Sequence, residues 1–202
     1  VILEITNRIF PHDQRSLFRD EPFKQVSVDN VLILSCRYNN FKIGIDENID
    51  STLESMTKFN SAIINAATPL ADCCISKKHN TMTFFLFNSK TQKRQLKYAL
   101  EDVIKFVSDS YKECKQQDIS VSFTLTFSNN LIMGSLSQNR ANFNLYSPDI
   151  YTNYVLSRSA PDGVIYILGL LNDLPNSIKD KLEPVENTQI EGVNMVKVED
   201  LK

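Results

Sequence analysis

Between residues 80 and 138 the apolar positions change period twice, and the changes mark out elements. Residues 80–88 (NTMTFFLFN) form a short apolar run rich in aromatic and β-favouring side chains, which predicts a buried strand. Next comes a helical stripe. Leu96, Leu100, Val103, Val107, Tyr111 and Cys114 recur at spacings of four and three, with Ala99, Ile104 and Phe106 widening the same face. This predicts an amphipathic helix over 90–116, with Ser89 as its N-cap. The period then falls to two. Ile119, Val121, Phe123, Leu125 and Phe127 alternate with Ser120, Ser122, Thr124, Thr126 and Ser128, giving one apolar and one hydroxyl-bearing face. Asn129-Asn130 can supply the positive φ of a two-residue turn, so a hairpin over 119–137 is expected, pairing Phe127 with Ile132, Leu125 with Gly134 and Phe123 with Leu136. The hydroxyl-bearing face reads as solvated or lightly covered, with an edge that could accept a partner's strand.

Elsewhere the pattern is shorter in range. Residues 1–10 read as a strand and the charged, proline-flanked residues 11–22 as a loop. Val31–Cys36 and Phe41–Asp46 suggest a second hairpin, closed by Asn39-Asn40. From Asp50 a second amphipathic helix over 50–67 carries Leu53, Met56, Phe59, Ile63 and Ala67, and stops near Pro69. Residues 149–157 suggest a short helix, and Val164–Leu171 (VIYILGLL) a buried strand after the turn Ala160-Pro161-Asp162-Gly163. The sum is an α/β or α+β fold: a single domain over 1–171, with a mixed or antiparallel sheet of about six strands and two main helices. The charged residues 172–202 read as a peripheral arm or tail.

Composition narrows this picture mainly by exclusion. The chain has 202 residues, 42% hydrophobic, and a formal net charge of −2, so it can bury a core but has no global pull towards nucleic acid or anionic membrane. No apolar run is long enough to cross a membrane, so no membrane insertion is expected. The absence of an initiator Met and of a signal-like start suggests a trimmed piece of a longer chain. Cys36 and Cys114 fall on apolar positions, Cys73 and Cys74 are adjacent, and no N-x-[ST] acceptor occurs in an Asn-rich chain. These facts favour a reducing nuclear or cytoplasmic compartment, and the Asn, Ser and Lys content a eukaryotic source.

Candidate chemistry is sparse. The five glycines, at 44, 134, 163, 169 and 192, form no phosphate-cradling loop, and no G-x-S-x-G occurs. His12 and His79 lack zinc-ligand spacing, so no metal, cofactor or catalytic residue is assigned. Two weaker arrangements remain. One is a thiolate at Cys73 or Cys74 with His79, near Lys77 and Lys78. The other is Asp46, Glu47 and Asp50 at a strand end, where Mg²⁺-dependent nucleases place carboxylates; Pro148-Asp149 and Pro161-Asp162 are better read as turns. Lys90, Lys93, Arg94 and Lys97 share a face at the start of the long helix, against its dipole, and are the candidate partner-binding residues. Val196-Lys197-Val198-Glu199 fits a SUMO-conjugation pattern, making Lys197 a candidate modification site.

With catalysis set aside, the expected function is a non-catalytic protein-interaction subunit, an adaptor or scaffold of a eukaryotic multi-subunit assembly, with one or more protein subunits as partners. The alternative is a nuclease-like domain, active or degenerate, that binds nucleic acid, and a cysteine-dependent enzyme is a third reading.

Overall fold

The computed structural model describes residues 25–39, 41–67, 73–78, 81–87, 95–135, 143–186 and 188–201. The strand and loop expected over residues 1–22 lie outside them. The fold is built on a long two-stranded ribbon. Strands β1 (Gln25–Val28) and β2 (Val31–Tyr38) run antiparallel to β6 (Leu131–Ser135) and β5 (Val121–Ser128). Val28 stands opposite Leu131 and Val31 opposite Ser128, so the register carries straight across Asp29-Asn30 and Asn129-Asn130. Strands at Val121–Ser128 and Leu131–Ser135 thus form within the expected hairpin 119–137, but they do not fold back on each other. Asn129-Asn130 is an interruption in one long strand, and the positive φ lies on the other side of the ribbon, at Asn30 (56°). The alternation of β5 is satisfied by neighbours the local sequence does not show: β2 on one side and, in parallel, β8 (Val164–Leu168) on the other.

The main sheet has the order β3-β4-β2-β5-β8-β10-β9, with β3 at Cys73–Lys78, β4 at Met82–Phe87, β9 at Glu183–Pro184 and β10 at Val193–Lys197. Six strands carry it and the two-residue β9 finishes one edge; only β5 and β8 run parallel. A second sheet, β1-β6-β7 with β7 at Phe143–Tyr146, continues the ribbon. The mixed α+β class is thus as expected.

Two points differ. Residues Phe41–Glu47 form helix α1 rather than the return strand of a hairpin; the partners of β2 are β4 and β5, so nothing in the sheet is left for it to pair with. The segment 172–202, expected as an arm, supplies β9, β10 and a 3-10 turn at Val198–Asp200, and buries Val196, Val198 and Leu201 in the main core. Its short alternation was obscured by the charged residues around it.

Helices α2 (Ile49–Ala67) and α3 (Leu96–Gln116) lie against one face of the sheet. The apolar stripe that predicts α3 is the one it buries: Leu100, Val103, Phe106, Val107 and Cys114 are fully covered. Phe106 meets Phe85 and Phe87 at ring-centroid distances of 5.0 and 5.9 Å. The helix starts at Leu96, so Ser89 is not its cap, and Gln95 at the N-cap makes no side-chain capping bond. A fourth helix, α4 (Pro148–Ser157), covers the opposite face over β2 and β5. Ser147 caps it by accepting from Asp149 N at 3.1 Å, and Pro148 takes the first turn, where its missing N–H is harmless. A last short helix, α5 (Asn176–Lys179), follows β8.

Candidate functional site

The hydroxyl-bearing face of β5, expected to be open to solvent, is closed. Ser122, Thr124, Thr126 and Ser128 are all buried, and β5 is a central strand with no free edge. The reason is α4. Its Asn153 is fully buried, and the side-chain amide donates to Ile33 O at 2.9 Å, Thr124 O at 3.0 Å and Thr126 Oγ1 at 3.1 Å. An amide reaching into a hydroxyl-lined face makes a polar seam where an aliphatic helix would leave those groups unpaired. Asn153 therefore fixes where α4 lies, and so where its C-terminal end meets the sheet.

That end lies beside a junction of strand ends. Arg37, near the close of β2, is the register partner of Met82 at the start of β4 and of Ser122 at the start of β5. Just beyond, Tyr38 N donates to Thr81 O at 2.8 Å and Asn39 N to Ser120 O at 3.1 Å. Ser122 Oγ donates to Asn39 Oδ1 at 2.9 Å, while Asn39 Nδ2 is buried with no partner among the described residues. Asp162 Oδ1 accepts from Val121 N at 2.7 Å and ties the loop before β8 to the same end.

The cation placed inside this junction is Arg37. Its Nη1 donates to Ser157 O at 3.0 Å and to Arg158 O, two carbonyls left free at the end of α4. Burial lowers the guanidinium's pKa, the nearby Arg158 lowers it further, and Tyr154 acts in the opposite direction. The group remains a cation at any ordinary pH. What gathers here is a fixed guanidinium, a second arginine, an amide donor and a hydroxyl, a set suited to holding anionic oxygens.

The described residues among those singled out from sequence fall elsewhere. Lys90, Lys93 and Arg94 lie outside the described residues, as do Ser89, His12 and His79; Lys97 is exposed in the first turn of α3. Asp46 and Glu47 are exposed on α1 and Asp50 opens α2, with no second acidic group brought to them; among the described residues no three His, Cys, Asp or Glu side chains could share a metal ion. Cys73 and Cys74 are on β3. Cys36 and Cys114 are buried, and burial, with lesser contributions from Glu113 and Asp162, pushes the Cys114 thiol up to about 12, so it is a core side chain rather than a nucleophile. Lys197 is the exposed last residue of β10. Arg37 and Asn153 were passed over in the sequence. Each had a signal: a single cation in the apolar run VLILSCRY, and a single amide within the helix YTNYV.

No protein-family model and no curated protein matches the chain by sequence. Solved structures do match it in fold. The guanylyl cyclase Cya2 superposes with a TM-score of 0.65 at 11% identity, covering 86% of this chain and 91% of that one. The dimeric guanylyl cyclase domain of the RhoGC fusion protein from the aquatic fungus Blastocladiella emersonii gives 0.63 at 14% identity, covering 86% and 95%. The adenylyl cyclase CyaB from P. aeruginosa gives 0.61 at 11% identity, covering 85% and 94%. The architecture is that of nucleotide cyclase catalytic domains, an enzymatic fold. This overturns the expectation of a non-catalytic adaptor or scaffold, and with it the nuclease-like alternative. The chain carries this fold without any of the short motifs sought in its sequence, so their absence does not exclude catalysis.

Proposed function

We propose that the chain is a cyclase-type domain that takes a purine nucleoside triphosphate at the junction of β2, β4 and β5. The observation that carries this is the agreement in fold over 86% of the chain with cyclase domains, one of them solved with ATPαS. A guanylyl cyclase domain from Catenaria anguillulae was likewise solved in complex with GTP. The reaction class is an intramolecular phosphoryl transfer: the ribose 3′-oxygen bonds to the α-phosphorus as the bond to pyrophosphate breaks, and the hydroxyl proton leaves to a base. Positioning and charge stabilisation dominate such steps. The residues at the junction can contribute both, with Arg37 and Arg158 facing developing negative charge and Asn39 and Ser122 offering polar contacts.

Divalent metal ions usually supply Lewis-acid stabilisation to phosphoryl transfer, held by carboxylates. The described residues do not fit that role, because no carboxylate cluster forms and an arginine occupies the end of β2. The functional unit proposed here is accordingly a pair, in which a second domain of the same fold faces the junction. One fungal neighbour was solved both as a non-canonical dimer and as a monomer, so self-association is a variable of the test. Among the described residues no helix is long and apolar enough to cross a membrane.

The test is direct. The chain, at concentrations where any self-association is complete, is incubated with GTP or ATP and Mg²⁺ or Mn²⁺, and followed for nucleotide binding, cyclic product and pyrophosphate. Binding accompanied by cyclic product is expected. Failure to bind either nucleotide, with no product, would overturn the proposal.

A further inference from the structure

An arginine near the end of β2 poses a specific problem for a nucleotide site. A triphosphate carries several negative charges, and something fixed must meet them. The ion pairs among the described residues are Lys58 with Glu54, Lys105 with Asp109 and Lys115 with Glu199, all on helix surfaces or at the C-terminal turn. None involves Arg37 or Arg158. Arg158, whose main-chain oxygen Arg37 also grips, lowers the Arg37 pKa, and among the described residues no carboxylate forms an ion pair with either arginine. Two of the five Arg37 N–H donors are taken by the carbonyls of Ser157 and Arg158, which leaves three for a ligand. The carbonyls hold the group in place without cancelling its charge.

Resting on the nucleotide-binding reading above, we propose that Arg37, seconded by Arg158, takes the place of a resident metal ion at this junction, so that the chain binds the phosphate groups of a nucleoside triphosphate without a divalent cation. The guanidinium suits this role because its planar fork can give paired hydrogen bonds to phosphate oxygens. A cation such as Mg²⁺ would have to settle beside a half-buried positive charge and without a carboxylate cage from the described residues, and both conditions disfavour it.

The experiment is calorimetric titration of the whole chain with GTP and with ATP, in excess EDTA and in excess Mg²⁺, on the wild type and on R37Q and R158Q. Circular dichroism confirms that each variant is folded. R158Q keeps the main-chain carbonyl that Arg37 uses, so it reads the charge even where R37Q weakens the α4 anchor. The expected result is binding in EDTA that is as tight as in Mg²⁺, falls steeply with salt, and weakens by about tenfold or more in each variant. Binding that needs Mg²⁺ would overturn this proposal and leave the nucleotide reading standing. EDTA-resistant binding unchanged in both variants would overturn the assignment to these arginines. No binding under either condition would overturn both readings.

Discussion

On the face of the main sheet covered by α2 and α3, Leu32, Leu34, Phe85, Phe87, Phe123 and Leu125 pack against Phe59, Ile63, Leu100, Phe106 and Val107, with only isolated hydroxyls such as Ser110 buried among them. On the face covered by α4, alternate residues of the same strands present Ser35, Thr124, Thr126 and Arg37 to Asn153 and to the carbonyls that end the helix. Both faces are buried, yet only the second holds a guanidinium and an amide bonded to strand atoms. The apolar face holds the fold together through non-directional burial. The polar face relies on a few directional bonds, and leaves Ser35 Oγ, Thr124 Oγ1 and Asn153 Oδ1 without partners among the described residues. Closing a sheet with a polar seam lowers stability relative to a fully apolar layer, and in return it carries hydrogen-bonding groups and a charge out to the strand ends.

The sharpest way to break this contrast is to truncate one side chain on each face. Phe106→Ala removes a fully buried ring in contact with two others and should cost about 3–5 kcal/mol in urea unfolding, with the secondary structure retained. Asn153→Ala should cost less, about 1–3 kcal/mol, because directional bonds rather than volume are lost. It should also loosen α4 selectively, as faster amide exchange over 148–157 than over α3. An Asn153 variant more disruptive than the Phe106 variant would reverse the roles assigned to the faces.

Alkaline pH probes the apolar face by itself. The Cys114 thiol ionises near 9 in an unfolded chain but only at about 12 in the folded one. Between those values the unfolded state has lost a proton that the native state keeps, so this group's contribution is fully present below pH 9 and declines as pH rises. The decline is at most about 1.4 kcal/mol per pH unit. The decline should be absent from Cys114→Ala and so make up the pH-dependent part of the difference between wild type and that variant, measured by unfolding at successive pH values. The smallest effect belongs to Ser35→Ala. This substitution deletes a buried hydroxyl that bonds to no described residue, so stability should stay level or rise by up to about 1 kcal/mol. A marked loss would mean that the hydroxyl is satisfied in solution.

The same division explains what could be read from the sequence. The apolar stripe of α3 and the alternation of β5 were legible because periodicity reports which side chains are buried together. The partners of β5 were not, because pairing with β2 and β8 is set by residues about 90 positions upstream and 40 downstream, and two asparagines imitate a turn that the chain does not make. Helix α1 was misread since Phe41-Lys42-Ile43-Gly44-Ile45 alternates like a strand, and only the crowded sheet excludes it. The candidate site was least visible of all. Arg37 and Asn153 are single polar residues in apolar elements, separated by more than a hundred positions, and the junction they define exists only once α4 has crossed the sheet.

The claim on which the account depends is that the polar junction, rather than the apolar face or the helix surfaces, receives a nucleoside triphosphate. A ¹⁵N-resolved NMR titration of the chain with GTP and with ATP addresses it most directly. The account predicts that one of them produces saturable shifts concentrated at Arg37, Asn39, Ser122 and Arg158, with α2 and α3 unmoved. Saturable shifts centred elsewhere, or none with either nucleotide, would contradict it.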